Sequence, residues 1–249
     1  MRSSVIPSWS GWSLTLYPAA FEAGGSPASS RSRDAPSRSE PGTGDPDRSA
    51  EEAARRARGK VRRYCAANGL NRLGTLTYRG VGCHDQWALR RDVAAFFRLL
   101  RAETGGAPLP YLWVAEWHKS GHGLHVHFAV GRFIRRRVIE ACWPHGFVHI
   151  KLLGDLPVGS TAVDEARMAA RYLAKYVGKD LAVGEARPAG LHRYEVAQGF
   201  QPDRLIIEGP TLDVVLALAE RRMGAPPSKV VTSADIDDYD GFPWVWAAW

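Results

Sequence analysis

Two histidines stand one residue apart in Leu124-His125-Val126-His127-Phe128-Ala129-Val130. Alternation with apolar residues has the period of a β-strand. In a strand, residues i and i+2 point to the same face, so His125 and His127 project together. Neutral imidazole is the commonest nitrogen ligand of metal ions, and two held on one rigid face make half a metal site. Taken alone, the pair also fits two half-exposed strand histidines without a metal. A third ligand comes from the preceding run, Tyr111-Leu112-Trp113-Val114-Ala115-Glu116-Trp117. The connection Lys119-Ser120-Gly121-His122-Gly123 is short and glycine-containing, so the two runs read as a hairpin. A hairpin brings Glu116 beside the start of the histidine strand. His118, two residues on, and His122, in the turn, are rival ligands. Two imidazoles and a carboxylate suit Mg²⁺ or Mn²⁺. The neighbouring histidines also admit Zn²⁺, which ranks second.

A second group lies in residues 171–179, Arg-Tyr-Leu-Ala-Lys-Tyr-Val-Gly-Lys. On a helix Tyr172, Lys175, Tyr176 and Lys179 fall at i, i+3, i+4 and i+7, and share one face. A tyrosyl oxygen can act as a nucleophile toward phosphorus. With a pKa of about 10 it is almost wholly protonated at neutral pH. A neighbouring ammonium favours the phenolate and stabilises charge on a phosphate. The alternative is a packed helix with two phenolic hydroxyls in water.

These groups need elements to position them. Residues 73–78 are β-branched and end at Gly80 and Gly82, which predicts a strand. Helical spacing over 85–103 involves Trp87, Val93, Phe96, Phe97 and Leu100. A helix is expected at 133–143, a strand at 147–151, and the strongest helix at 163–179. Weaker strands are expected at 194–198 and 205–207, and a last helix at 211–222. Antiparallel strands with interspersed helices argue an α+β fold rather than a doubly wound parallel sheet. Neither glycine-rich nucleotide loop pattern occurs. The basic run 51–67 reads as a helix, its charges either solvated or in contact with phosphates.

The chain has 249 residues and a formal net charge of +7, which favours an anionic partner such as nucleic acid. Cys65, Cys83 and Cys142 are scattered, which fits a reducing compartment. No apolar run approaches the roughly 18 residues of a membrane span, and no export signal is read. The expected location is the cytoplasm, with no membrane partner. Residues 24–50 hold almost no large apolar residue and are expected to be largely disordered.

The two chemical stretches together resemble rolling-circle replication initiators. Leu124–Val130 is similar to their His-hydrophobic-His motif. Residues 171–179 are similar to the two-tyrosine helix motif of the larger superfamily, including the microvirus gene A protein. Residues 73–78 resemble the Leu-Thr-containing first motif. The resemblance covers about residues 60–200 and keeps the family's order. It implies a five-stranded antiparallel sheet flanked by helices, with the histidines on the central strand. It implies His125, His127 and Glu116 as metal ligands, Tyr172 and Tyr176 as nucleophiles, and Lys175 as the helix lysine. It also implies metal-dependent cleavage and joining of single-stranded DNA at a replication origin, through a covalent 5′-phosphotyrosine. Lys179, Arg132, Arg135, Arg136, Arg137 and Lys151 are candidate DNA contacts. A host helicase and polymerase are candidate partners. The expected division is an N-terminal segment at 1–58, a catalytic nickase domain at 59–210, and a C-terminal helix with an irregular tail at 211–249. A relaxase or transposase of the same chemistry, a non-catalytic DNA-binding regulator, and a structural Zn²⁺ site are the competing readings.

Overall fold

All seven residues of Leu124–Val130 are buried, although two of them are histidines. A strand buried at every position must be covered on both faces, and here it is the middle of a sheet. The computed structural model describes residues 11–28, 46–151, 158–179, 192 and 194–249. Along the chain run β1 (Trp12–Tyr17), β2 (Glu22–Pro27), α1 (Pro46–Ala67), β3 (Arg72–Tyr78) and α2 (Gln86–Glu103). Next come β4 (Tyr111–Trp117), β5 (Leu124–Val130), α3 (Arg136–Cys142), β6 (Gly146–Lys151) and α4 (Ala162–Lys179). The last are β7 (Tyr194–Val196), β8 (Leu205–Gly209), α5 (Leu212–Met223), β9 (Lys229–Thr232) and β10 (Val245–Ala248). The fold is α+β, as the sequence predicts. The expected five-stranded antiparallel sheet has the order β6-β3-β5-β4-β7, with the histidine strand central.

Register sorts this sheet into two faces. On one, Phe147, Thr77, His125 and Glu116 form a row across β6, β3, β5 and β4. His149, Thr75, His127 and Val114 form the next row, and Lys151, Leu73, Ala129 and Leu112 the one after. α1 and α4 cover much of this face, packing Val61, Tyr64, Leu173 and Val177 against Leu73, Leu112, Val114 and Ala129. Leu173 and Val177 are fully buried, worth roughly 1.5–3 kcal/mol each in area terms. Asn71 Nδ2 donates to Glu165 Oε2 at 2.5 Å and ties the start of α4 to the chain leading into β3.

The opposite face is aromatic. Val126, Phe128 and Val148 meet Val93, Phe96 and Phe97 of α2, Ile139 of α3, and Trp143. Asp85 starts α2 by accepting from the amides of Trp87 and Ala88. Phe128 lies over Gly74, its partner on β3, where a Cβ would collide with the ring. The glycine is there because the cross-strand aromatic fills its space. Trp87, expected in the helix core, is exposed.

The domain boundaries require correction. Contacts divide the chain into one unit at 45–201 and another made of 1–44 with 202–249. The breaks at 58/59 and 210/211 therefore do not hold. α1 packs on α4 and belongs with the site-bearing sheet, while β8 pairs with β1 in a second sheet. That sheet, β8-β1-β2-β10-β9, is also antiparallel, and Val215 and Ala219 of α5 pack with Leu14 and Leu16. Much of the stretch expected to be disordered, 29–45, lies outside the described residues. Its ends do not fit that expectation, because 24–27 are in β2 and 46–50 open α1. Gly25 misled the composition argument. A Cβ there would strike the Ser13 carbonyl, so this strand needs glycine for close pairing. The tail is likewise not wholly irregular, since β9 and β10 pair in the same sheet. Among the described residues no helix is long and apolar enough to cross a membrane.

Candidate active site

The β4–β5 hairpin sets Glu116 directly opposite His125. His118 N–H donates to Gly123 O at 2.8 Å and closes the turn. From this register three ligand atoms converge. Glu116 Oε2 lies 3.1 Å from His125 Nε2 and 3.0 Å from His127 Nε2, and the two nitrogens are 3.0 Å apart. Among the described residues this is the one cluster of three or more His, Cys, Asp or Glu with metal-ligating geometry. The side chains of Glu116, His125 and His127 are only 14%, 11% and 6% exposed. A carboxylate and two imidazoles aimed at one point and largely out of water require a cation between them. The donor set therefore fits a divalent metal ion.

The rival ligands are engaged elsewhere. His118 Nδ1 lies 2.6 Å from Ser120 Oγ and accepts the Ser120 N–H at 3.2 Å. His122 Nε2 lies 2.9 Å from Tyr78 O. Thr75, by contrast, supports the cluster. Its Oγ1 is 3.0 Å from His127 Nδ1, across the directly paired β3. With Nδ1 protonated and donating to Thr75, the Nε2 lone pair faces the shared point. Sequence reasoning did not single out Thr75. The only signal was its place in the weakly motif-like run 73–78, because strand pairing is not readable there.

α4 brings both tyrosines to the cluster. Tyr176 stacks on the His127 ring, with centroids 3.9 Å apart and planes at 16°. Tyr172 meets the same ring edge-on at 5.8 Å and Tyr176 at 5.2 Å. Burial holds the Tyr176 phenol well above its ordinary pKa, and its hydrogen bond with Tyr172 and the Glu116 charge act in the same direction. The cation at Tyr172 is Lys151, whose Nζ lies 4.9 Å from the ring centroid. Lys175, expected there, is exposed and lines a groove between α1 and α4. The same face of β6 adds His149 and the exposed Phe147, neither of which the sequence marked.

The expected arginine contacts are not brought to this cluster. Arg132 follows the far end of β5, about 20 Å along the strand from His125. Its guanidinium donates to Thr104 Oγ1. Arg135 is the N-cap of α3, on the aromatic side of the sheet, and Arg137 is exposed on that helix. Arg136 pairs with Glu140 at 2.7 Å and donates to Val148 O at 3.3 Å. Lys179 ends α4, and its side chain lies outside the described residues.

Residues 71–181 match the family of the replication-associated protein ORF2. The matched stretch contains Thr75, Glu116, His125, His127, Lys151, Tyr172 and Tyr176. The match supports a rolling-circle replication initiator, with DNA as its partner. No curated protein and no solved structure matches the chain.

Proposed function

We propose that this chain is a metal-dependent endonuclease and strand transferase that cuts single-stranded DNA at a replication origin. It would thereby start rolling-circle replication of a plasmid or phage-like element. The observation that carries the reading is the convergence of Glu116, His125 and His127 with two tyrosine rings packed at the same point. The ligand spacings favour Mg²⁺ or Mn²⁺. Adjacent ligands of an octahedral ion at about 2.1 Å lie about 3.0 Å apart, whereas tetrahedral Zn²⁺ ligands at that distance lie about 3.4 Å apart. The observed 3.0–3.1 Å match the first. A bound divalent cation supplies charge neutralisation to the oxygens of the scissile phosphate.

The protein's own residues do the rest. Glu116, His125 and His127 fix the phosphate's position on one rigid sheet face. Tyr172 Oη attacks phosphorus and loses its proton as the Oη–P bond forms. The P–O3′ bond breaks in line, and the 3′ oxygen leaves and takes up a proton. The 5′ end of the DNA is then esterified to the protein, and the free 3′ hydroxyl can prime a polymerase. Rejoining reverses the same exchange, so it needs no ATP. Lys151 beside Tyr172 supports this tyrosine as the first nucleophile, through charge stabilisation at the phenol and phosphate. Tyr176 serves the second transfer. A host helicase would open the duplex.

The test is incubation with single-stranded origin DNA and Mn²⁺, a denaturing gel for a protein–DNA adduct, and mass-spectrometric mapping of the linked peptide. Tyr172→Phe should lose the first adduct with little loss of DNA binding. Tyr176→Phe should form the adduct but fail to release closed circles. An initial adduct on Tyr176 alone would reverse the order, and one on neither tyrosine would remove the covalent mechanism.

A further inference from the structure

The helix that carries the tyrosines has a second charged flank. Going round α4, Arg171 and Lys175 lie beside the tyrosine face on the side toward α1. A groove of about 810 Å³ runs between α1 and α4. Its floor is small, with Gly59, Ala170 and Ala174. Arg55, Arg56, Arg58, Arg62 and Arg63 line it from α1, and Arg171 and Lys175 from α4. No acidic and no aromatic side chain lines it. Glu52 pairs with Arg56 at 3.5 Å, both well exposed, outside the lining.

This array is costly for the helix alone. Arg55, Arg58 and Arg62 sit at i, i+3 and i+7, so like charges face one another along one stripe, each close pair costing a few tenths of a kcal/mol. Gly59 within the same helix costs about 1 kcal/mol relative to alanine. A Cβ there would lie 3.3 Å from the Arg63 guanidinium, so the glycine makes room for that head group over the floor. Both features weaken α1 and both suit a polyanion lying in the groove.

We propose that this groove binds the sugar–phosphate backbone of double-stranded DNA, without regard to sequence, and holds a duplex arm beside the strand that enters the tyrosine site. The inference rests on the reading of this chain as a protein that acts on DNA. Duplex is favoured because sites for single strands interleave cations with aromatic platforms, and this groove has none. Guanidinium groups suit phosphate contacts, which position a duplex without reading bases. Arg55 to Arg62 spans about 10 Å of helix axis, the length of about three phosphates along one strand.

The test measures binding of the full chain to a 20-base-pair duplex of non-origin sequence, as a function of salt. Arg55→Ala, Arg58→Ala and Arg62→Ala combined should weaken affinity at least about tenfold and flatten the log–log salt slope by roughly two to three. Cleavage of a short single-stranded origin oligonucleotide by this variant should be unchanged. The triple lysine variant, which keeps charge and helix propensity, should retain most of the slope. Unchanged duplex affinity and slope in the alanine variant, or loss of the slope in a folded lysine variant, would overturn the proposal. So would weakened binding of single strands with duplex binding intact. Duplex binding with the expected slope but no covalent adduct in the wild type would defeat the nickase reading and leave this one standing.

Discussion

The two faces of the β6-β3-β5-β4-β7 sheet are built from different materials. One is filled by Phe96, Phe97, Phe128 and Trp143, whose rings meet edge to face at 4.9–6.0 Å. The other uses small residues, Ala129 against Ala169 and Ala170, so that α4 can lie close enough for its tyrosines to reach the histidines. Large rings bury the most apolar area and fix the strands. Small residues give up that area and gain proximity. The teaching is a division of labour within one sheet, in which stability comes from the face that does no chemistry.

Four experiments test this division. The largest effect should come from His125→Ala with His127→Ala. Cleavage in Mg²⁺ or Mn²⁺ should fall below detection and calorimetric Mn²⁺ binding should vanish, while the melting temperature stays at or above that of wild type. A variant that still cut origin DNA in EDTA would sink the metal assignment. Next is Phe128→Ala, on the same strand but the other face. It should cost about 3–5 kcal/mol in denaturant unfolding while folded protein keeps its Mn²⁺ affinity; a large loss of that affinity would show that the faces are not separable. Thr75→Val removes the hydroxyl behind His127 and keeps the shape. Metal affinity should drop about tenfold to a hundredfold with the fold unchanged, and normal affinity would remove Thr75 from the site. The smallest effect compares two lysines. Lys151→Ala should slow adduct formation roughly tenfold, the worth of one charge-assisted contact, and Lys175→Ala should slow it less. The reverse ranking would restore Lys175 as the helix lysine of the resemblance.

The sheet face that carries the ligands was legible because its signals are local. Period two fixes which side His125 and His127 share, and a short glycine turn fixes where Glu116 falls. The helical spacing of Tyr172 and Tyr176 likewise survives folding. What the sequence hid is non-local. Thr75 and Lys151 reach the site through pairings set 50 or more residues apart in the case of β3 with β5, and through the packing of α4 in the case of β6. Lys175 was misplaced because i, i+3 spacing gives angular proximity only, and a flanking residue can lean either way. Arg132, Arg135, Arg136 and Arg137 looked like a basic patch because charge carries no record of which layer it lands on. The second sheet was missed because its strands are short, two of them glycine- or alanine-rich, and their partners lie at the far end of the chain. Removal of residues 1–50 is therefore not a benign trim, since it takes away β1 and β2.

That pairing has a consequence for synthesis. The β1–β2 hairpin leaves the ribosome first, but its neighbours β8 and β10 start at Leu205 and Val245. At about 5–20 residues per second, roughly ten to forty seconds separate the end of β2 from the start of β8. All of residues 45–201 emerge in that interval. The nascent chain thus completes its metal ligands and both tyrosines while the edges of an earlier hairpin still wait for their strands. Exposed strand edges invite pairing with other chains, so the hazard in making this protein lies in its first folded element rather than in its reactive one.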